Sequence, residues 1–206
     1  MDKVRLAVSQ DAASLTLHGE IGWDITPAGV AAALKTAAGK PLNVSIQSYG
    51  GEAFAGIAIH NMLARYPGQK AIVIEGIAAS AASVIAMAGD RIIMPDNAYM
   101  MIHNAAGVAV GTAEVARETA DILDGISAAA RRTYAARTGL SEEEIGAMMD
   151  AETWLTAEQA VAKGFATEMA PPADIRLDAG RLAAFSRVPA ALAASPPPEQ
   201  PPAQPK

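Results

Sequence analysis

Residues 70–89 read KAIVIEGIAASAASVIAMAG. The β-branched run Ile72, Val73, Ile74 passes through Gly76 into an Ala-rich stretch whose first helical turn holds Ser80, so a strand feeding a helix is expected here. Upstream, PLNVSIQS (41–48) runs into Gly50-Gly51 and then a helix over 54–65, with Phe54, Ile57, Ala58, Met62 and Leu63 on one face. SLTLHG (14–19), DRIIMP (90–95) and AYMMIH (98–103) are further strands, and a helix over 27–36 follows a Thr26 cap. Short strands alternating with helices predict an α/β fold on a parallel sheet. A long helix over 112–137 should close at Gly139. The pairs Ser141/Glu144 and Thr156/Gln159 read as capping boxes, and the last helix stops at Gly164.

The chain has 206 residues, which favours one domain and a tail. Residues 1–170 form the expected domain. Residues 171–189 read as a linker or one short helix around LAAF. From 190 to 206, AALAASPPPEQPPAQPK is expected to be a disordered Pro-rich tail, because its proline density opposes helix and sheet and it has few apolar groups to bury. Sixteen Lys and Arg against 22 Asp and Glu, with no long block of either sign, argue against a nucleic-acid partner. No apolar run nears the ~20 residues of a membrane span, and the first ten residues lack a signal-peptide core, so no membrane association and a cytoplasmic location are expected. The absence of cysteine removes disulfides, thiolate metal sites and a Cys nucleophile.

Three elements carry candidate chemistry. Ser80, just past a strand and at a helix start, faces unpaired backbone N–H groups, and the N–H of Ala81 is placed to bind an oxyanion. The alternative is that Ser80 and Ser83 cap the helix or keep it slim. Gly50-Gly51 frees the backbone to bring an N–H toward a bound carbonyl; an ordinary tight turn would read the same. His103 ends a strand where it runs into a Gly-containing loop, a place that suits a general base and also a structural histidine. His18 and His60 read as packing or surface residues, and no metal-site spacing links the three. Taken together, an oxyanion loop, a serine elbow and a strand-end histidine are the parts of an acyl-transfer site.

In that order and at similar separations, Gly50-Gly51, GIAASAAS and MIHNAAG resemble three motifs of the Clp protease proteolytic subunit (ClpP) family. The likeness continues through 112–137, similar to the family's handle helix, and through TGLSEEEI and ETWLTAEQAVAKGFAT to about Ala170. The resemblance implies a ClpP/crotonase-like fold of repeated β-β-α units with a protruding handle helix. It also implies a serine endopeptidase with Ser80 as nucleophile, His103 as base and the N–H groups of Gly51 and Ala81 as oxyanion hole, with no cofactor and no metal. Where the family carries its third catalytic aspartate, counted back from Trp154, this chain has Glu152; Asp150 is the rival.

The implied partners are protein or peptide substrates and further copies of the chain in a ring, hexameric or heptameric, single or double-stacked. Ile122, Leu123 and Ile126 on the handle helix would suit packing between subunits. The chain begins almost at the first strand, without the longer segment that forms axial loops in housekeeping subunits, which leaves an AAA+ unfoldase an open partner. GIAASAAS, ETWLTAEQA and the Pro-rich extension look most like the phage and prophage head maturation branch, which trims capsid or scaffold proteins. Two other readings stand beside the peptidase: a crotonase-like acyl-CoA hydratase or isomerase, and a ClpP-like ring subunit without activity.

Overall fold

The computed structural model describes residues 4–172 and 179–193. Its frame is one sheet, β1 (Val4–Val8), β2 (Ala13–His18), β3 (Leu42–Ser48), β4 (Lys70–Ala79), β5 (Arg91–Pro95) and β8 (Glu168–Ala170), side by side in that order. β1 lies antiparallel to β2, and every later neighbour is parallel. Alternate residues of the central strands are buried on one face: Leu15 and Leu17, Val44 and Ile46, Ile72 and Ile74. Helices α1 (Pro27–Ala37) and α2 (Ala53–Arg65) cover that face through Val30, Ala33, Ile59 and Leu63. Each such Leu or Ile contributes about 1.5–3 kcal/mol by leaving water, which is why the α/β pattern expected from the sequence forms.

β4 organises the site because it changes partner along its length. Ala71–Val73 pair with β5, while Ile77–Ala79 pair with β6 (Tyr99–Ile102), whose other edge takes β7 (Thr153–Thr156) antiparallel. The ends of β4 and β6 therefore lie side by side, bringing Ser80 and His103 onto one rim. Gly76, read above as the exit from the strand, lies inside β4; the chain turns at Ser80, which opens α3 (Ala81–Ala86). The short strands β1, β7 and β8 were not anticipated.

The long helix α4 (Ala113–Thr138) starts at the Thr112 cap and ends at Gly139 in left-handed conformation, as expected. Its first half is largely exposed, and its second half buries Ser127, Ala130 and Tyr134. Both capping boxes form, on α5 (Glu142–Asp150) and α6 (Ala157–Ala162). The short helix expected around LAAF lies earlier, as α7 (Ala179–Leu182), and the chain turns from Ala183 onward. One expectation is corrected: order does not end at residue 190, since α8 (Ala190–Ala193) makes a further turn and buries Leu192. A leucine with an apolar surface to cover offsets the entropy that the composition alone suggested would win. Residues 194–206, the remainder of the expected tail, lie outside the described residues.

Candidate active site

Ser80 takes φ 54 and ψ −126, a conformation that strains a residue with a Cβ, and makes no side-chain cap to its helix. The surrounding structure holds it there. Its N–H donates to Met101 O at 3.0 Å, and its carbonyl accepts from Ser83 N at 3.0 Å and Ser83 Oγ at 2.6 Å. Ser83 Oγ also meets the buried Tyr134 hydroxyl at 2.8 Å. The elbow leaves the Ser80 hydroxyl free for His103, whose Nε2 lies 2.8 Å from Ser80 Oγ. An imidazole at that distance can take the hydroxyl proton.

Gly50 and Gly51 have φ of +103° and +141°. A Cβ on Gly50 would sit 2.7 Å from Ser80 Cβ, so the loop reaches the elbow only because that position has no side chain. The loop is tied to the segment after β2 by Ile21 N to Gly50 O and Glu52 N to Ile21 O, each 2.9 Å. Glu52 caps α2 by accepting from the N–H groups of Phe54 and Ala55. Among the described residues, the N–H groups of Gly51 and Ala81 have no protein acceptor, and unpaired N–H groups of this kind are able to bind an oxyanion.

Burial pushes the His103 imidazole below its ordinary range, and the negative charge of Glu152 partly opposes this. Of the two candidate carboxylates, Glu152 is the one whose charge acts on His103. Asp150 accepts from Asn104 Nδ2 at 2.7 Å. Burial raises the Glu152 carboxyl, but N–H donation from Ser186, Arg187 and Trp154, with the charge of His103, brings it below the usual carboxylate range. Its Oε2 accepts from Ser186 N at 2.9 Å and its Oε1 from Arg187 N at 2.6 Å, with Trp154 Nε1 at 3.4 Å. Among the described residues, it makes no hydrogen bond to His103.

Sequence reasoning missed Phe185. Its ring meets His103 edge-on at 5.8 Å between centroids and Trp154 at 5.5 Å. The LAAF run was the one hint, and it carries no indication of a partner. His18 and His60 are elsewhere: His18 Nε2 meets Ser45 Oγ at 2.9 Å, Ser45 Oγ donates to Glu75 at 2.8 Å, and His60 Nδ1 pairs with Asn61. No cluster of metal-ligating side chains occurs among the described residues, and no described helix is long and apolar enough to cross a membrane.

Two hollows meet at Ser80 and His103. One is a small apolar pocket of about 40 Å³ beside Ala81, lined by Ile57, Val84, Ile126 and Ala130 with Tyr134. The other is an open cleft of about 410 Å³ between Glu20, Tyr49 and Gly50-Gly51 on one side and Arg181, Ala184 and Phe185 on the other.

Residues 9–172 match the model of the family described as Clp protease. The chain is 34% identical over 122 residues to the ATP-dependent Clp protease proteolytic subunit 1 of Streptomyces avermitilis, covering 58% of this chain and 56% of that subunit. It is 30% identical over 162 residues to subunit 2 of Treponema denticola, covering 76% and 80% respectively. The chain thus spans little more than half the length of the first relative and four fifths of the second. A ClpP1 mutant from Listeria monocytogenes superimposes with a TM-score of 0.69 at 27% identity, covering 78% of this chain and 92% of that one. With the family match running through most of the chain, and the strand-end serine and histidine in contact within it, this protein belongs to the Clp protease family.

Proposed function

We propose that the chain is a serine endopeptidase that hydrolyses peptide bonds through an acyl-enzyme on Ser80. The observation that carries this is the 2.8 Å approach of His103 Nε2 to Ser80 Oγ at the mouth of an apolar pocket. His103 takes the hydroxyl proton as Ser80 Oγ bonds to the scissile carbonyl carbon, and returns it to the departing amine; water then releases the acyl group by the same route. The N–H groups of Gly51 and Ala81 hold the oxyanion, and Glu152 orients the imidazole when it can reach Nδ1. The same approach removes the separation of Ser80 and His103 on which an acyl-CoA hydratase reading would rest. Incubation with a fluorophosphonate and intact-mass analysis tests the proposal: one adduct on the parent and none on Ser80→Ala supports it, and absence of the adduct both from the parent and from variants that open the cleft at Phe185 sinks it.

The finer reading is a ring-forming head maturation protease of the phage or prophage branch, acting on capsid or scaffold proteins without an obligatory ATPase, in the cytoplasm. It rests on the GIAASAAS and ETWLTAEQA motifs and the Pro-rich stretch beyond a single domain of residues 1–170. Native mass spectrometry should give a hexamer or heptamer, or its double. An unfolded protein substrate should be cut without ATP; intact substrate would count against this finer reading.

The apolar pocket beside Ala81 suits the side chain before the scissile bond, and its volume favours a small aliphatic one. Ile126→Ala should enlarge it and raise kcat/KM for a Phe peptide relative to an Ala peptide by about tenfold or more, as expected for a pocket altered by a few carbon atoms. Because His103 acts as a base only when neutral and burial lowers its pKa, the acid limb of kcat/KM should fall below the ordinary imidazole value of about 6.5. Glu152→Gln removes the charge that raises His103, so the limb should move to still lower pH; a shift upward would show that Glu152 does not act on the imidazole.

A further inference from the structure

The family match ends at residue 172, yet the described segment 179–193 lies against the catalytic rim. Leu182 and Leu192 are buried with Ile77, Ala79 and Met101, residues of the two strand ends that carry Ser80 and His103. From this anchorage the segment reaches the site at three points. Phe185 places its ring against His103. Ser186 and Arg187 donate their N–H groups to both oxygens of Glu152, while Arg187 Nη1 donates to Ala151 O at 3.1 Å. Arg181, 3.9 Å from Glu20 across the cleft, stands with Ala184 and Phe185 opposite Gly50-Gly51, where an extended peptide would pair.

We propose that segment 179–193 is a latch that keeps this active site latent. This rests on the serine peptidase reading. Seated, the latch holds the Glu152 carboxylate on its own backbone, away from the imidazole that carboxylate would orient, and narrows the cleft. Displaced, it frees Glu152 to accept from His103 Nδ1–H and opens the face of Gly51 to substrate. An imidazole without its orienting carboxylate is a poor base even when its other nitrogen touches the serine. The latch is built to release: Ser186 and Arg187 are exposed and Phe185 is only half-buried, so its hold on Glu152 can open while the two leucines stay docked. The segment lies outside the part shared with the family, consistent with control added to a shared machinery.

The test uses the full chain and the rate of fluorophosphonate adduct formation, with Ser80→Ala as the blank. Phe185→Ala and Arg187→Pro, the latter removing an N–H donor, release the latch. Glu20→Cys with Ala184→Cys, two positions lining the same cleft and the second adjoining Phe185, joined by a short reducible thiol-reactive cross-linker, hold it shut, and the chain has no other cysteine to interfere. The latch predicts labelling at least about tenfold faster in the release variants, and suppressed labelling in the cross-linked form that returns on reduction. Equal rates in all forms overturn the latch and leave Ser80 as nucleophile. Slower labelling in both release variants, with no suppression on cross-linking, also overturns it, because the segment would then complete the site. Absence of labelling in every form, the reduced cross-linking variant included, removes the serine reading and the latch with it.

Discussion

Replacing His103 with alanine is expected to lower kcat/KM for a peptide substrate by about 10⁴-fold, and adding Ser80→Ala is expected to cost almost nothing more. A serine hydroxyl is a weak nucleophile at neutral pH, and in this site the group in contact with it that can take its proton is the imidazole at 2.8 Å. Once either partner is gone the other has no chemical task, so the losses cannot add. A structural histidine would behave differently: its removal would lower stability, and the two substitutions would act independently. His103 is half-buried, with its ring against Phe185 and Ser80, so the alanine variant should keep its fold. Thermal melting beside the kinetics separates the cases. An unchanged melting temperature with the non-additive loss supports the catalytic pair; additive losses would count against it.

The approach of Ser80 to His103 was legible because both lie at strand ends marked by local composition, the β-branched run before Ser80 and the apolar AYMMIH before His103. How the turn is made was not. Gly76 attracted the reading as a strand exit, yet it lies inside β4, and the chain turns at Ser80 with a positive φ that residue identity does not reveal. β1, β7 and β8 escaped for another reason. They are only three to five residues long, and β7 and β8 draw their stability from neighbours distant in sequence, β6 and β5. Glu152 was found by its place before Trp154, but its engagement with Ser186 and Arg187 spans more than thirty residues and uses backbone N–H groups that any residue could supply. For the same reason the segment after 171 read as a linker. Its anchors, Leu182 and Leu192, are ordinary leucines until the surface formed by Ile77, Ala79 and Met101 exists to receive them.

Gly51→Ala carries the second large effect, and it should reach catalysis more than folding. Gly51 sits at φ +141°, and an added Cβ would run into the backbone carbonyl and amide of Ile21. Those atoms cannot yield locally, because Ile21 N donates to Gly50 O and Ile21 O accepts from Glu52 N, so the loop must shift as a unit. A forced conformation of this kind costs about 1–3 kcal/mol. In a domain of this size, that corresponds to a fall in melting temperature of several degrees. The displaced part includes the Gly51 N–H, and losing one oxyanion donor costs about 10²–10³ in kcat. Gly125 provides the contrast: it is exposed in the middle of α4 with no atom within 4 Å of an added Cβ, so Gly125→Ala should stabilise the chain by about 1 kcal/mol. If Gly51→Ala instead kept full kcat, the oxyanion role of its N–H would fall, even with Ser80 and His103 confirmed. If it lost kcat while still forming the fluorophosphonate adduct, the loop would be acting on the charge that develops in the transition state and leaving the nucleophile intact, as the proposed mechanism requires.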